Sequence, residues 1–260
     1  MQTVVVGDTK LAYEVAGAGV PVLLLHGAGG SRGAWSLQVP ALSKRYQVVS
    51  VDLRGHGESS VTPAPCSMTA LAADLAGLQK ALSLGPCHVV GHSLGGMVGL
   101  QLALDFPQGV KSLAVVNSTA LGQGLWVRSF LVRSFIRLAG MPAFARANAK
   151  LHLPEPGQLA LRQRFIETMG ACPAAGYLAA QSAIDGFDVR ARLGEIGCPV
   201  LVVHSDQDVI PLEDKSLIAG TVARGQLETI EHSRHIVVWD QPERLNAVLL
   251  SFLDGQAAQR

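Results

Sequence analysis

The sequence predicts a doubly wound α/β domain interrupted by a mostly helical insertion. Three observations predict it. Short apolar runs alternate with stretches of helical periodicity from residue 21 to 118. That rhythm stops over 120–190 and resumes at 198. Of the 260 residues, 48% are hydrophobic and 16% charged, which is rich enough for a large buried core and too apolar for a disordered chain.

The first element is a hairpin: TVVV (3–6) and KLAYEVAG (10–17) flank the turn residues Gly7 and Asp8. PVLLLH (21–26) is a continuous apolar run, as suits a strand covered on both faces in a parallel sheet. Residues 33–44 read as helix and YQVVSVD (46–52) as another buried strand. Apolar positions at helical spacing predict a helix over 68–83, followed by strand CHVVGHS (87–93). LGGMVGLQLALDF (94–106) reads as helix despite its glycines, and VKSLAVVNS (110–118) as strand. Over 120–190 there are helical patches, broken at Gly140-Met141-Pro142 and at 153–157, but no strand-like run. The α/β pattern returns with strand CPVLVVH (198–204), a helix near 213–222, strand GQLETIE (225–231) and a helix near 243–254. The expected boundaries are a core of 1–119 and 191–260 and an insertion of 120–190.

Composition narrows the function classes. The net charge of +1 gives no electrostatic footprint for nucleic acid. No apolar run approaches the roughly 18 residues of a transmembrane helix, and the N-terminus lacks the basic and apolar regions of a secretory signal. Cys66, Cys87, Cys172 and Cys198 form no CxxC pair and read as free thiols of a cytoplasmic protein. The insertion carries eight basic side chains, Arg128, Arg133 and Arg137 among them, against four acidic ones, and reads as a solvated surface, with attraction of an anionic substrate as the alternative. Its aromatic residues Trp126, Phe130, Phe135, Phe144, Phe165 and Tyr177 are expected mostly to pack the insertion onto the core.

The sharpest chemical signal is Gly91-His92-Ser93-Leu94-Gly95, a G-x-S-x-G at the junction of a strand and a helix. Such a turn raises the serine hydroxyl above the sheet edge, and the helix N-terminus behind it favours developing negative charge. A serine needs a base, and the base an orienting acid. Asp206 and Asp208 follow strand 198–204, and His232 and His235 follow strand 225–231. Both pairs fall in loops after strands, where ligands gather in open α/β sheets. His232 and His235 at a spacing of three make a poor zinc site, and HGAGG (26–30) lacks the lysine of a phosphate loop.

With these motifs the chain resembles the α/β-hydrolase fold family over nearly its whole length, and in particular its serine esterase-like members with a helical cap. The carrying residues are His26-Gly27-Ala28-Gly29-Gly30, Asp52-Leu53-Arg54-Gly55-His56-Gly57, the Gly91–Gly96 elbow, Asp208 and His235. The resemblance implies Ser93 as nucleophile, His235 as base and Asp208 rather than Asp206 as acid. It implies an oxyanion hole from the N–H groups of Ala28 and Leu94, with His26, Gly27 and His92 in support. It places the cap after the sixth strand. Haloalkane dehalogenases and epoxide hydrolases of the family carry Asp where this chain has Ser93. The expected activity is hydrolysis of a small carboxylic ester, with no cofactor or metal. Lactonase, thioesterase, amidase, carbon–carbon hydrolase, perhydrolase and lyase chemistry, or ligand binding without catalysis, are the alternatives.

Overall fold

A computed structural model describes residues 1–61, 66–122 and 126–257. Eight strands form one sheet: β1 (Gln2–Val6), β2 (Thr9–Ala16), β3 (Pro21–Leu25), β4 (Gln47–Val51), β5 (Cys87–His92), β6 (Val110–Val116), β7 (Val200–Ser205) and β8 (Gly225–Ile230). Their order is β1-β2-β4-β3-β5-β6-β7-β8. β1, β2 and β4 pair antiparallel, and every pair from β4 to β8 is parallel.

The continuous apolar runs are explained by burial on both faces. Leu23 and Leu25 of β3 enter one cluster, beneath α2 (Met68–Ala81) and α3 (Leu94–Asp105). Val22 and Leu24 enter the other, with Trp35, Leu245 and Leu249, the last two from α9 (Pro242–Ala257). α1 (Val39–Leu42) is a single turn preceded by a 3-10 turn over Arg32–Trp35, so the helix expected over 33–44 is broken. Pro40, which has no N–H to bond back toward residue 36, separates the two turns, while Trp35 and Leu42 anchor the segment in the core.

The chain turns to both sides of β3: it passes first to β4 and then to β5. The crevice at this reversal is where ligands bind in open α/β sheets. Leu25 lies beside Gly91, and His92 beside Val116, so the loops after β3, β5 and β6 emerge together at one edge.

After β6 the chain makes a helical excursion through α4 (Trp126–His152), α5 (Leu159–Gly170) and α6 (Ala174–Asp185). Gly140, at φ 77°, kinks α4 just before Pro142, as the sequence punctuation predicted. A bridge between Leu121 and Asp188, with Val189 N–H donating to the Ala120 carbonyl at 3.0 Å, joins the two ends of the excursion. This helical region after β6 fits a cap. α7 (Leu212–Thr221) and α8 (Val237–Asp240) complete the core. Among the described residues no helix is long and apolar enough to cross a membrane.

Candidate active site

Ser93 sits between β5 and α3 with φ 53° and ψ −117°, a left-handed backbone that an L-residue adopts only under constraint. The constraint is visible. Ser93 N–H donates to the Val116 carbonyl at 2.9 Å, and Ser118 Oγ donates to the Ser93 carbonyl at 2.6 Å. A Cβ on Gly91 would lie 2.2 Å from the Gly95 carbonyl oxygen, and one on Gly95 would lie 2.2 Å from that of Leu25. Glycine at both positions is therefore a steric requirement of the turn.

The hydroxyl of Ser93 lies 3.0 Å from His235 Nε2, and His235 Nδ1 lies 2.7 Å from Asp208 Oδ1. An ionised Asp208 only accepts, so Nδ1 carries the proton and the lone pair of Nε2 faces the serine. Burial alone would push the Asp208 carboxyl up. Attraction and hydrogen bonds from His235 and from Lys215 overcome this and hold it well below the usual carboxylate range. Asp206 lies apart from this relay, and its carboxylate instead accepts the Ser233 N–H at 3.1 Å. His232, at φ 57°, occupies the turn before the histidine loop.

The remaining predicted groups surround the serine. Leu94 opens α3, where the first N–H groups of a helix have no acceptor within it. Gly27, Ala28 and Leu94 line the same cavity as Ser93 and His235. His26 is fully buried. Its Nε2 accepts the Leu53 N–H at 3.0 Å, so its Nδ1 donates to the Gly27 carbonyl at 2.8 Å and fixes the loop. Burial pulls its pKa down to about 4, which keeps it neutral. His92 Nε2 donates to the His235 carbonyl at 2.8 Å, and burial takes its pKa to about 3. His92 therefore holds the backbone of the histidine loop rather than moving protons.

The cavity above Ser93 has a volume of about 390 Å³. Its roof comes from the helical excursion and includes Phe144, Phe165, Tyr177 and Met169. Phe144 and Tyr177 also pack together, with ring centroids 5.3 Å apart. Three of the six aromatic residues named from sequence thus line the cavity, whereas Phe130 and Phe135 are exposed. The side chains of Trp126 and Arg128 lie outside the described residues. Of the other arginines, Arg133 is committed to an ion pair with Asp185 at 2.9 Å.

Three contributors escaped the sequence. Asn117 donates to Ser205 Oγ at 2.8 Å and to the Arg234 and His235 carbonyls, each at 3.1 Å, tying the ends of β6 and β7 to the histidine loop. The hydroxyl of Ser205 is thereby used. His152, at the end of α4, places its ring 5.3 Å from that of His235 and lines the cavity. Lys215 is buried against Asp208.

An α/β sheet with a serine at a strained elbow and a histidine–carboxylate pair beside it defines a hydrolase class. Residues 20–242 match the alpha/beta hydrolase fold family, and the chain belongs to it. One relative, from Azorhizobium caulinodans, is named "Putative carbamate hydrolase RutD"; it is 35% identical over 254 residues, covering 95% of this chain and 96% of that protein. Among solved structures, a thermophilic esterase from Thermogutta terrifontis superposes with TM-score 0.92 at 27% identity, covering 98% of this chain and 99% of that one. A hydrolase from Pseudomonas aeruginosa superposes with TM-score 0.90 at 29% identity, covering 97% of each chain. The protein is a hydrolase of this fold.

Proposed function

We propose that the protein hydrolyses a carboxylic ester, lactone or thioester of a small molecule through a serine-bound acyl intermediate. The observation that carries this reading is the continuous relay from Ser93 Oγ through His235 to Asp208, at the floor of a cavity. Ser93 attacks the carbonyl carbon as His235 Nε2 takes its proton, and the charge on the carbonyl oxygen is met by the N–H groups of Leu94 and Ala28. Collapse of the tetrahedral intermediate returns the proton from His235 to the leaving alcohol or thiol. Water, deprotonated by the same imidazole, then attacks the acyl carbon and releases Ser93. Asp208 keeps Nδ1 protonated throughout and stabilises the imidazolium. Residues 120–190 act as the cap that shapes the cavity, and the apolar roof favours an apolar acyl or alcohol group. The four cysteines are free, which supports placement in the reducing cytoplasm.

A carbamate is the second reading, favoured by the name of a relative that matches nearly end to end. Its acyl carbon would meet the same groups in the same order. The test is kcat/KM on matched p-nitrophenyl acetate, lactone, thioester and carbamate substrates. Ester turnover that disappears in Ser93→Ala supports the first reading. A carbamate preferred over its matched ester selects the second. Undiminished turnover by a folded Ser93→Ala protein overturns both.

A further inference from the structure

Lysine is almost never fully buried unless it is paired. Lys215, in the first turn of α7, has a side-chain exposure of 0%, and so does its partner Asp208. In sequence it is one more charge in LEDKS (212–216), indistinguishable from a solvated helix start. In the fold its ammonium meets three acceptors: Asp208 Oδ2, the Ile210 carbonyl at 2.9 Å and His204 Nδ1 at 3.0 Å. An ammonium has three N–H donors, so all are used. Burial pulls this group down and the charge of Asp208 opposes it. The complete set of acceptors holds the protonated form.

The carboxylate of Asp208 is thereby divided: Oδ1 receives His235 Nδ1–H, and Oδ2 receives Lys215. We propose that Lys215 is a positioning residue that fixes the rotation of the Asp208 carboxylate and, by its charge, lets His235 serve as base at lower pH than Asp208 alone would allow. This rests on the assignment of Ser93, His235 and Asp208 proposed above.

An unshared carboxylate beside an imidazole favours the imidazolium and so withholds the base at low pH. A cation on the far oxygen opposes that effect. It also speeds return of the proton to the leaving group, because the imidazolium then faces a partly neutralised acid. Stability alone is a poor reason for the pair. Replacing a buried ion pair by apolar groups of similar volume is often neutral or stabilising. The other titratable groups packed around the relay are accounted for. His92 and His152 face His235 with ring centroids at 5.0 and 5.3 Å. His204 contacts Lys215, Asp214 acts on Lys215 by charge, and Asp206, Glu213 and Asp208 act on His204. Lys215 is the one that binds the carboxylate itself.

The experiment is the pH dependence of kcat/KM for p-nitrophenyl acetate in wild type, Lys215→Met and Lys215→Gln. The glutamine keeps donors for Asp208 and Ile210 while removing the charge. The expected result is an acid limb moved up by about one pH unit in both variants, with KM unchanged. In the methionine variant alone the plateau also falls, about tenfold, from a misaligned carboxylate. An acid limb that does not move in either folded variant overturns the proposal. A second arm reads the pairing without catalysis, by urea denaturation of Lys215→Met, Asp208→Asn and the double variant. Each single change strands a buried partner, so the double variant is expected to have a higher urea midpoint than either single one. Additive losses overturn the clamp, and full ester turnover by Ser93→Ala would sink the serine reading while leaving this arm intact.

Discussion

Acidification from pH 7 to pH 5 is expected to destabilise the fold well before most carboxylates titrate, because three buried histidines are held neutral. Burial takes the pKa of His26 from 6.5 to about 4, and burial together with neighbouring histidines takes His56 and His92 to about 3. The unfolded chain takes up protons near 6.5, while the folded chain refuses them until the pH nears 4. Between those values the unfolded state binds more protons, so stability rises with pH and falls on acidification. One proton is worth about 1.4 kcal/mol per pH unit. At pH 5 each histidine has therefore removed about 2 kcal/mol, and the three together on the order of 6 kcal/mol. That is a large part of the 5–15 kcal/mol typical of a folded domain. The assay is urea denaturation at closely spaced pH values between 5 and 7.5, with His56→Gln as the control. His56 donates Nδ1–H to the Arg54 carbonyl at 3.1 Å, while its buried Nε2 has no partner among the described residues. Its removal should flatten the slope by about one proton's worth. A stability constant to within about 1 kcal/mol over this range, or a slope unaffected by His56→Gln, would refute the reasoning.

Further expectations follow from the same geometry. Asp208→Asn should lower kcat by about 10⁴ through loss of the correct tautomer, whereas Asp206→Asn, whose carboxylate accepts the Ser233 N–H and makes no bond to the imidazole, should change it less than tenfold; steady-state kinetics of the two variants compare them. Gly95→Ala should prevent folding or cost at least about 3 kcal/mol, because its new methyl group meets the Leu25 carbonyl, and a soluble protein with unchanged melting temperature would contradict this. Because Arg133 is already paired with Asp185, esters matched in size but differing by a carboxylate should show kcat/KM values within about threefold at low and high salt. A large salt-sensitive preference for the anionic ester would show that the cap recruits charge after all.

The inner strands were legible in the sequence because they are covered on both faces, so PVLLL and its counterparts appear as unbroken apolar runs, whereas the largely exposed edge strands β1 and β8 carry no such mark. The elbow was legible because G-x-S-x-G owes its glycines to sterics, which leave the same mark wherever that turn is built. The choice of Asp208 over Asp206 came from the family resemblance; in the fold His235 Nδ1 meets Asp208, while Asp206 accepts the Ser233 N–H. The broken helix over 33–44 was not legible, since Trp35 and Leu42 fit helical spacing while Pro40 decides the backbone. Asn117, His152 and Lys215 left no signal at all. Each is an ordinary polar residue in sequence: Asn117 reaches the site through the sheet order, His152 through the return of the helical excursion, and Lys215 through the local turn that leads from β7 into α7. Three of the cap aromatics likewise acquired their place in the cavity roof from the kink at Gly140 and the packing of α5 and α6.

The central claim is that Ser93 carries the acyl group between two chemical steps. The most direct measurement is intact-protein mass spectrometry on rapidly quenched reactions with p-nitrophenyl acetate, followed by peptide mapping. The expected result is a mass increase of one acetyl group located on Ser93 and absent from Ser93→Ala, in a species trapped by the acid quench. An acetyl group found on another residue, or ester turnover with no Ser93 adduct under conditions that trap one in a known serine esterase, would contradict it.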